Sequence, residues 1–440
     1  MAREPNFEDQ AGGVLPCIVV AKFGGTSLAT PERLRRVAER LVSMQRQNLS
    51  VVAVVSAMGK STDDLMRLAL SINAHPPSRE LDRLLATGEQ VCMALLAMAI
   101  DALGACAVSL SGRQAGILTT AAYSKAHISE IKAERIRAEL KAGRIVVVAG
   151  FQGITPSGDI TTLGRGGSDT TAVAVAAGLK ADICEIYSDV DGVYSADPRL
   201  VPRARRLEVI SYEEMLELAA SGAGVLHMRS VEVARNFKVP LYCRSAFSDE
   251  PGTLVREEQD MESAIISGIA CDRSESKVTI RGVPDHIGIA AEVFGLIADS
   301  GVNIDMIVQN VSAGGATDIS FTAPTNDLER LRPALDSIVG TMGVPGYAAD
   351  AGIAKISLVG AGMRSSPGIA ARMFHILAKE AINIDMISTS AIRISVVIDA
   401  ARASEAMQAL HTGFDLDSEQ VFEETSLSNE ELAAKMLKGR

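Results

Sequence analysis

At 440 residues the chain is long enough for two to four domains of about 100–200 residues each, and its 47% apolar content, with 4% aromatic and no tryptophan, requires an aliphatic core of the kind α/β layers use. A formal net charge of −11 argues against a general nucleic-acid binder. Six scattered cysteines (17, 92, 106, 184, 243 and 271) form no C-x-x-C pair, which argues against a disulfide framework or a zinc site and for a reducing, cytoplasmic setting.

Residues 1–14 are expected to be disordered, and their polar, mixed-charge start does not read as a signal peptide. The apolar run 17–21 reads as a buried strand, and 31–47 as a helix with Pro31 in its first turn. Between them stands Lys22-Phe23-Gly24-Gly25-Thr26-Ser27. A strand, two glycines and a helix can cradle a phosphate, because glycine lets backbone N–H groups approach an anion and the helix N-terminus favours negative charge. An ordinary glycine turn fits this segment equally well. It is not a Walker A loop, since its lysine precedes the glycines. A strand at 49–55 leads to Ser56-Ala57-Met58-Gly59, and helices are predicted over 62–72 and 79–103, the second carrying Thr87-Gly88-Glu89-Gln90. The most apolar region, 91–108, is broken by Asp101 and Gly104 and is too short to span a membrane. A strand at 107–110, a charged helix at 129–142 ending at Gly143, and a strand at 145–149 before Gly150-Phe151-Gln152-Gly153 complete the pattern. Repeated β-turn-α units predict a mostly parallel sheet sandwiched by helices, with ligands bound beyond the carboxyl ends of the strands.

A second glycine-rich segment, Gly164-Arg165-Gly166-Gly167-Ser168-Asp169, opens a helix running to about Lys180, with Ser168 or Asp169 as N-cap. It is another anion site, and Arg165 could clamp a carboxylate. After a strand at 183–187 comes Ser188-Asp189-Val190-Asp191-Gly192-Val193, whose Val193 rules out an EF-hand. Beyond a charged linker at 256–260 the chain repeats itself at a spacing of 80 residues: Phe294 matches Phe374, Ala298 matches Ala378, and Asn303-Ile304-Asp305-Met306-Ile307 recurs whole from Asn383. Each copy reads as a ferredoxin-like βαββαβ unit.

These motifs make the chain similar to the aspartokinases, amino acid kinases with tandem C-terminal ACT domains. The resemblance is carried by Lys22 to Ser27, Val55 to Gly59 with Thr62-Asp63, Thr87-Gly88-Glu89, Ala149 to Gly153, Thr161 to Thr171, Ser188 to Pro198, Arg229-Ser230-Val231-Glu232 and the paired repeat, and it covers about residues 15–425. It implies an amino-acid-kinase catalytic domain at 15–252, a linker at 253–263, ACT domains at 264–347 and 353–428, and a tail at 429–440. The activity implied is transfer of the ATP γ-phosphoryl group to the side-chain carboxylate of L-aspartate, on the route to lysine, threonine and methionine. The acceptor carboxylate, with an ordinary pKa of about 3.9, needs no general base, so charge neutralisation and positioning suffice.

The resemblance also implies roles. Lys22, Arg165 and Asp169 would be catalytic. ATP would meet Lys22, Phe23, Gly24, Gly25, Ser56, Ser168, Ser188, Asp189, Val193, Tyr194, Ser195, Ala196, Asp197 and Pro198, and aspartate would meet Thr62, Glu89, Phe151, Arg165, Gly166, Gly167 and Ser168. Mg²⁺ would arrive with ATP, without a dedicated protein metal site. Effectors, lysine and threonine, would bind Asp285, His286, Ile287, Gly288, Ile289, Ala290, Asn303, Ile304, Asp305 and Gln309 in the first repeat. In the second they would bind Pro367, Gly368, Ile369, Asn383, Ile384, Ser390 and Ala391. A homo-oligomer or α2β2-type assembly through the ACT domains is expected, and Met261 could start a separate regulatory subunit. The chain departs from the family pattern at Gly224, where a lysine is usual, at Met228, and over 123–128, a loop left outside the expected site. Two other readings stay open: an amino-acid sensor with impaired catalysis, supported by Gly224, and a kinase for another amino acid.

Overall fold

Apolar, β-branched runs such as Ile18-Val19-Val20 and Val51 to Val55 become strands covered on both faces, which is why they show no polar alternation. The computed structural model describes residues 15, 17–257, 265–309 and 315–417. The stretch expected to be disordered (1–14), Met261 and the tail at 429–440 lie outside those residues.

The N-terminal domain runs β1 (Ile18–Phe23), α1 (Pro31–Arg46), β2 (Ser50–Val55), α2 (Ser61–Ile72), α3 (Ser78–Leu85), α4 (Thr87–Asp101), β3 (Ala107–Leu110), β4 (Ile117–Thr119), β5 (Ile128–Ile131) and α5 (Glu134–Lys141). It continues through β6 (Ile145–Ala149), β7 (Gln152–Ile154), β8 (Ile160–Thr162), α6 (Gly167–Leu179), β9 (Ile183–Ser188), β10 (Val209–Ser211), α7 (Tyr212–Ala220), α8 (Met228–Phe237), β11 (Leu241–Ser245) and β12 (Thr253–Arg256). Eight strands form one sheet in the order β10-β12-β11-β9-β1-β2-β6-β3, parallel except for the β11–β12 pair. Val20, Val52 and Val54 pack into one apolar cluster, and Ala21, Phe23, Val51, Ala53 and Val55 into another, so the pleat gives each face its own core. The register pairs Phe23 with both Val55 and Tyr187, and Val55 with Ala149. The turns after β1, β2, β6 and β9 therefore open side by side at one sheet edge. A smaller sheet, β5-β4-β7-β8, stands beyond that edge.

Several local expectations change. The helix predicted over 129–142 begins as β5, where Ile128 and Ile131 pack on the main core, and only α5 is helical. The helix predicted over 79–103 is two helices broken at Ala86. Together, Ser78–Asp101 is long and apolar enough by composition to cross a membrane, but Cys92, Leu96 and Ile100 of α4 are buried beneath α1. The N-cap of α6 is Gly166 at φ 67°, so Ser168 and Asp169 lie in the first helical turn. The kinase-like domain also extends past 252, because β12 pairs with β10 and β11 and Thr253 Oγ1 bonds the Leu207 carbonyl at 2.6 Å.

The C-terminal half holds β13 (Gly268–Asp272), β14 (Glu275–Pro284), α9 (Ile289–Asp299), β15 (Ile307–Gln309), β16 (Ala316–Pro324), α10 (Leu328–Met342), β17 (Gly346–Asp350), β18 (Ile353–Val359), α11 (Ile369–Lys379), β19 (Met386–Thr389), β20 (Arg393–Asp399) and α12 (Ala403–Gly413). Two four-stranded sheets result, β15-β16-β14-β17 and β13-β18-β20-β19. The expected boundary at 264 is thus wrong in one respect. Strand β13 fills in the second repeat the place that β17 takes in the first, antiparallel to its opening strand. The first repeat, 275–350, is inserted into the second.

Candidate active site

Lys22 is the penultimate residue of β1, and its Nζ lies 2.5 Å from Asp169 Oδ1 in the first turn of α6, both side chains nearly buried. The pair joins the two glycine-rich segments that the sequence separates by more than a hundred residues. Gly25 must be small, since a Cβ there would lie 2.8 Å from the Ala57 carbonyl in the turn after β2. At Gly24 a Cβ would stand 3.5 Å from Lys22 Nζ, so the turn backbone lies beside that ammonium. Gly150 likewise leaves room for Ser168, whose Oγ would be 2.9 Å from an added Cβ.

Glu89, in the first turn of α4, is 3% exposed. Its Oε1 accepts a hydrogen bond from the Ala57 N–H at 3.2 Å, while Oε2 is buried with no partner. Burial pushes its carboxyl up to about 7, against the lowering effect of backbone hydrogen bonds. Among the described residues nothing satisfies the second oxygen of this buried acid. Thr62 sits at the start of α2, half-buried. Phe151 adopts a left-handed backbone at φ 66°, its N–H bonded to Thr171 Oγ1, and packs on Gly167. Arg165 is exposed on the loop before α6 and makes no hydrogen bond or ion pair among the described residues.

Around this loop stand groups that the motif reading passed over. A Cβ on Gly166 would strike the His227 ring at 2.2 Å, so the imidazole is the wall behind Arg165. Burial lowers the His227 pKa from its ordinary value, against the raising pull of Asp169. Arg229 donates to the carbonyls of Leu163 and Ala126 at 2.7 and 2.9 Å, tying α8 to both sides of the loop. The 123–128 segment does border the site: a Cβ on Gly164 would meet the Ser124 carbonyl at 3.1 Å. Fully buried Asp82 anchors that segment, accepting from the N–H and hydroxyl groups of Ser124 and Thr162. Its signal in the sequence was an acid on the apolar side of α3, beside Leu85. His227 left no such periodic mark.

On the expected nucleotide side, the side chains of Phe23 and Val193 are core residues, with Phe23 stacked on Tyr187 at 4.7 Å, so only their backbones remain to a ligand. Tyr194 donates to Asp191 at 2.8 Å, Asp197 pairs with Arg199, and Ser188 bonds the Val190 backbone. Ser195 and Ala196 depart from expectation: both are buried against the second repeat, and the Ser195 hydroxyl is bonded to His411.

In the repeats, the glycine turns hold Gly288 and Gly368 at φ 98° and 92°, each opening a helix. Asp285, His286 and Ile287 are exposed at the first turn, whereas Ile289 belongs to the repeat core. Asn303 and Asn383 are exposed, Ile304 and Ile384 half-buried, an equivalence that follows the duplicated sequence. Asp305 is already engaged: buried Lys355, on the first strand of the other repeat, holds it at 2.6 Å, and Lys277 holds its counterpart Asp385 at 3.0 Å. Burial opposes the Lys355 charge, but Glu275, Asp305 and Asp272 outweigh it and raise its pKa above the ordinary value.

Comparisons with known proteins agree with this arrangement. Residues 18–245 match the model for the amino acid kinase family, and 278–340 and 356–414 match ACT domains. The aspartokinase of Mycolicibacterium smegmatis is 52% identical over 405 residues, covering 91% of this chain and 96% of that protein. The structure of E. coli aspartokinase III in complex with aspartate and ADP, an R-state, superposes with a TM-score of 0.78 at 25% identity, covering 90% of this chain and 99% of that one. The T-state structure of the same enzyme with lysine and aspartate gives 0.72 at 25% identity, covering 90% and 99%.

Proposed function

The chain belongs to the aspartokinases, amino acid kinases with paired ACT domains, and from that membership we propose how its residues divide the phosphoryl transfer from ATP to L-aspartate. The observation that carries the proposal is the Lys22–Asp169 ion pair at the sheet edge, with unpaired Arg165 on one side and the half-satisfied Glu89 carboxylate within the same edge. Lys22 and the amides of Gly24 and Gly25 hold the β/γ-phosphates and offset the charge that spreads over the transferring group. Asp169 aims the Lys22 ammonium. Arg165 forks onto the α-carboxylate of aspartate and Glu89 takes its ammonium, leaving the side-chain carboxylate to attack the γ-phosphorus in line. Thr62, Phe151, Gly166, Gly167 and Ser168 shape that acceptor side. Ser56, Ser188, Asp189, Tyr194, Asp197 and Pro198 line the nucleotide side.

Mg²⁺ would travel with ATP. Among the described residues there is no group of three His, Cys, Asp or Glu side chains fit to hold a metal, and Mg²⁺ usually keeps phosphate and water ligands rather than a protein cage. When bound it would neutralise phosphate charge.

Lysine and threonine are the proposed effectors, their carboxylates on the Gly288 and Gly368 turns and their ammonium groups on Asp285 or nearby carbonyls. Assembly through the ACT domains is proposed from their edge strands: β15 and β19 each leave one side unpaired and expose Ile307 and Ile387, and Ile287 is fully exposed beside the first turn. Six free cysteines fit a reducing cytoplasm.

Hydroxylamine trapping with ATP, Mg²⁺ and either L-aspartate or L-glutamate tests the acceptor assignment. Acyl phosphate is expected with aspartate. Product with glutamate alone would overturn the assignment, and no product with any acid would favour the sensor reading.

A further inference from the structure

The segment that follows β9 has two ends with different surroundings. Residues 188–194 stay at the sheet edge, while beyond them Ser195, Ala196, Leu200, Val201 and Ala204 are held by the second ACT repeat, with Pro198 left exposed. Ala196, Val201, Leu200 and Ala204 pack into the core of that repeat with Met407, Leu410 and Phe414. At the point of departure, the Ser195 carbonyl accepts from Ile269 of β13 at 2.7 Å, and its N–H donates to Arg205 at 2.8 Å.

The Ser195 side chain completes the junction. Its Oγ lies 2.9 Å from His411 Nε2 on α12, and His411 Nδ1 lies 2.6 Å from Asp417 Oδ1. Asp417 is an ionised acceptor, so Nδ1 carries the proton and Nε2 accepts. The Ser195 hydroxyl therefore donates to the ring, leaving its oxygen free to accept the Arg205 N–H at 3.0 Å. Thr412 bonds the second Asp417 oxygen at 2.8 Å. Burial lowers the His411 pKa against the raising pull of Asp417, in keeping with a neutral ring. The connectivity is that of a hydrolytic triad, but Ser195 and His411 are both fully buried, so no substrate can reach the hydroxyl. The arrangement is a strut in which each polar atom has a partner.

We propose that His411 is a positioning residue for the nucleotide: through Ser195 it fixes the segment whose preceding residues, Ser188 to Tyr194, meet ATP, which makes the second ACT repeat a structural part of the nucleotide side of the active site. The proposal rests on the reading of 188–198 as the nucleotide stretch. Ser195 then acts through backbone placement and not by touching ATP. A change in the packing of α12 reaches the nucleotide across one hydrogen bond and one residue of chain.

Steady-state kinetics of the full-length enzyme tests it. Ser195→Ala and His411→Phe each remove the hydrogen bond and should raise KM for ATP about fivefold to tenfold, the equivalent of one lost buried hydrogen bond. KM for aspartate should change less than about twofold, and the double variant should be no worse than the poorer single one. His411→Gln, whose amide oxygen can accept from Ser195, should recover most of the loss. A purely structural role would shift both KM values together or leave both unchanged, and either result overturns the proposal. Tyr194→Ala separates it from its premise. If that variant raises KM for ATP while Ser195→Ala and His411→Phe do not, the positioning role fails alone. If Tyr194→Ala also has no effect, the nucleotide assignment fails and the inference with it.

Discussion

Replacing Glu89 with glutamine keeps its shape and removes its titration, which makes it a sharp test of the acceptor side. The folded protein holds this carboxyl at about 7, against an ordinary value of 4.5. The sign follows from which state keeps the proton. Between those two values the folded protein retains a proton that the unfolded chain has lost, so the group's contribution to stability falls as pH rises and levels off above 7. At 1.36 kcal/mol per pH unit the full penalty is about 3 kcal/mol, an order-of-magnitude figure. Glu89→Gln should therefore melt higher than the parent at pH 8, by about 6–12 °C if the catalytic domain unfolds as a unit, and show little advantage near pH 4.5. Binding should respond in the opposite sense. Aspartate brings an ammonium that needs the ionised carboxylate, so the parent's KM for aspartate should fall as pH rises towards 7 and then flatten. In Glu89→Gln the KM should be about 10–100-fold higher and carry no such slope, the loss of one charge-assisted contact. Melting curves and aspartate titrations from pH 5 to 8.5 measure both effects. Parallel melting profiles together with an unchanged KM would refute the role given to Glu89.

Lys22→Ala should cut turnover by about a hundredfold or more while calorimetric binding of lysine or threonine stays intact; retained turnover would sink its phosphate role. Arg165→Ala should leave the melting temperature unchanged, since the side chain is exposed and unpaired, and raise KM for aspartate about tenfold or more. Gly166→Ala should lower both stability and aspartate affinity, because a Cβ collides with His227 on a left-handed backbone; adding His227→Ala should relieve the collision but not the backbone strain, giving partial recovery by melting. Arg393→Met removes the link from β20 to Glu217 on α7, at 3.1 Å, and should weaken effector inhibition severalfold with uninhibited kcat preserved; undiminished inhibition would refute that link.

Much of this organisation was legible in the sequence because it is local. Continuous apolar runs gave the central strands, glycines before helical stretches gave the turns that open at the sheet edge, and an 80-residue repeat gave the paired ACT units. Errors arose where distant partners decide. Nothing near Gly268 to Asp272 says that this strand pairs with Ile353–Val359 rather than with the repeat that follows it, because the choice depends on an edge made ninety residues later. Ile128-Ser129-Glu130-Ile131 is compatible with a helix until Gly178 of α6 comes close enough to require a flat strand against it. Ser195 looked like part of a nucleotide loop because the motif is continuous, and only the fold shows its hydroxyl turned towards a histidine 216 residues away. The local pattern offered Asp169 as a helix cap and the resemblance offered it as a catalytic residue; its carboxylate meets Lys22, and the cap position is Gly166.

The way the repeats are joined to the catalytic domain assigns them unequal parts. Among the described residues, the ion pairs that leave the first repeat, from Glu275, Lys277 and Asp305, all end on the second. Among the described residues, the hydrogen bonds and ion pairs to the catalytic domain come from the second repeat, at two places. One is α7, where Glu214 closes a capping box with Ser211 and uses its other oxygen to accept from Ser267 at 2.5 Å and from the Ala361 N–H at 3.0 Å. Helix α7 leads to His227, the wall behind Gly166 and Arg165, so this grip would bear on the proposed aspartate side. The other is the Ser195–His411 contact, which would bear on the proposed nucleotide side. An effector on the first repeat would therefore act through its contacts with the second: the Lys355–Asp305, Arg393–Asp305 and Lys277–Asp385 pairs and the packing of Met306 on Ile353 and Met386. Lys355 is fully buried between Glu275 and Asp305, and leaving its charge without a partner costs about 3–5 kcal/mol. That is ample to bias two packings of the repeats, and the bias would reach donor and acceptor together.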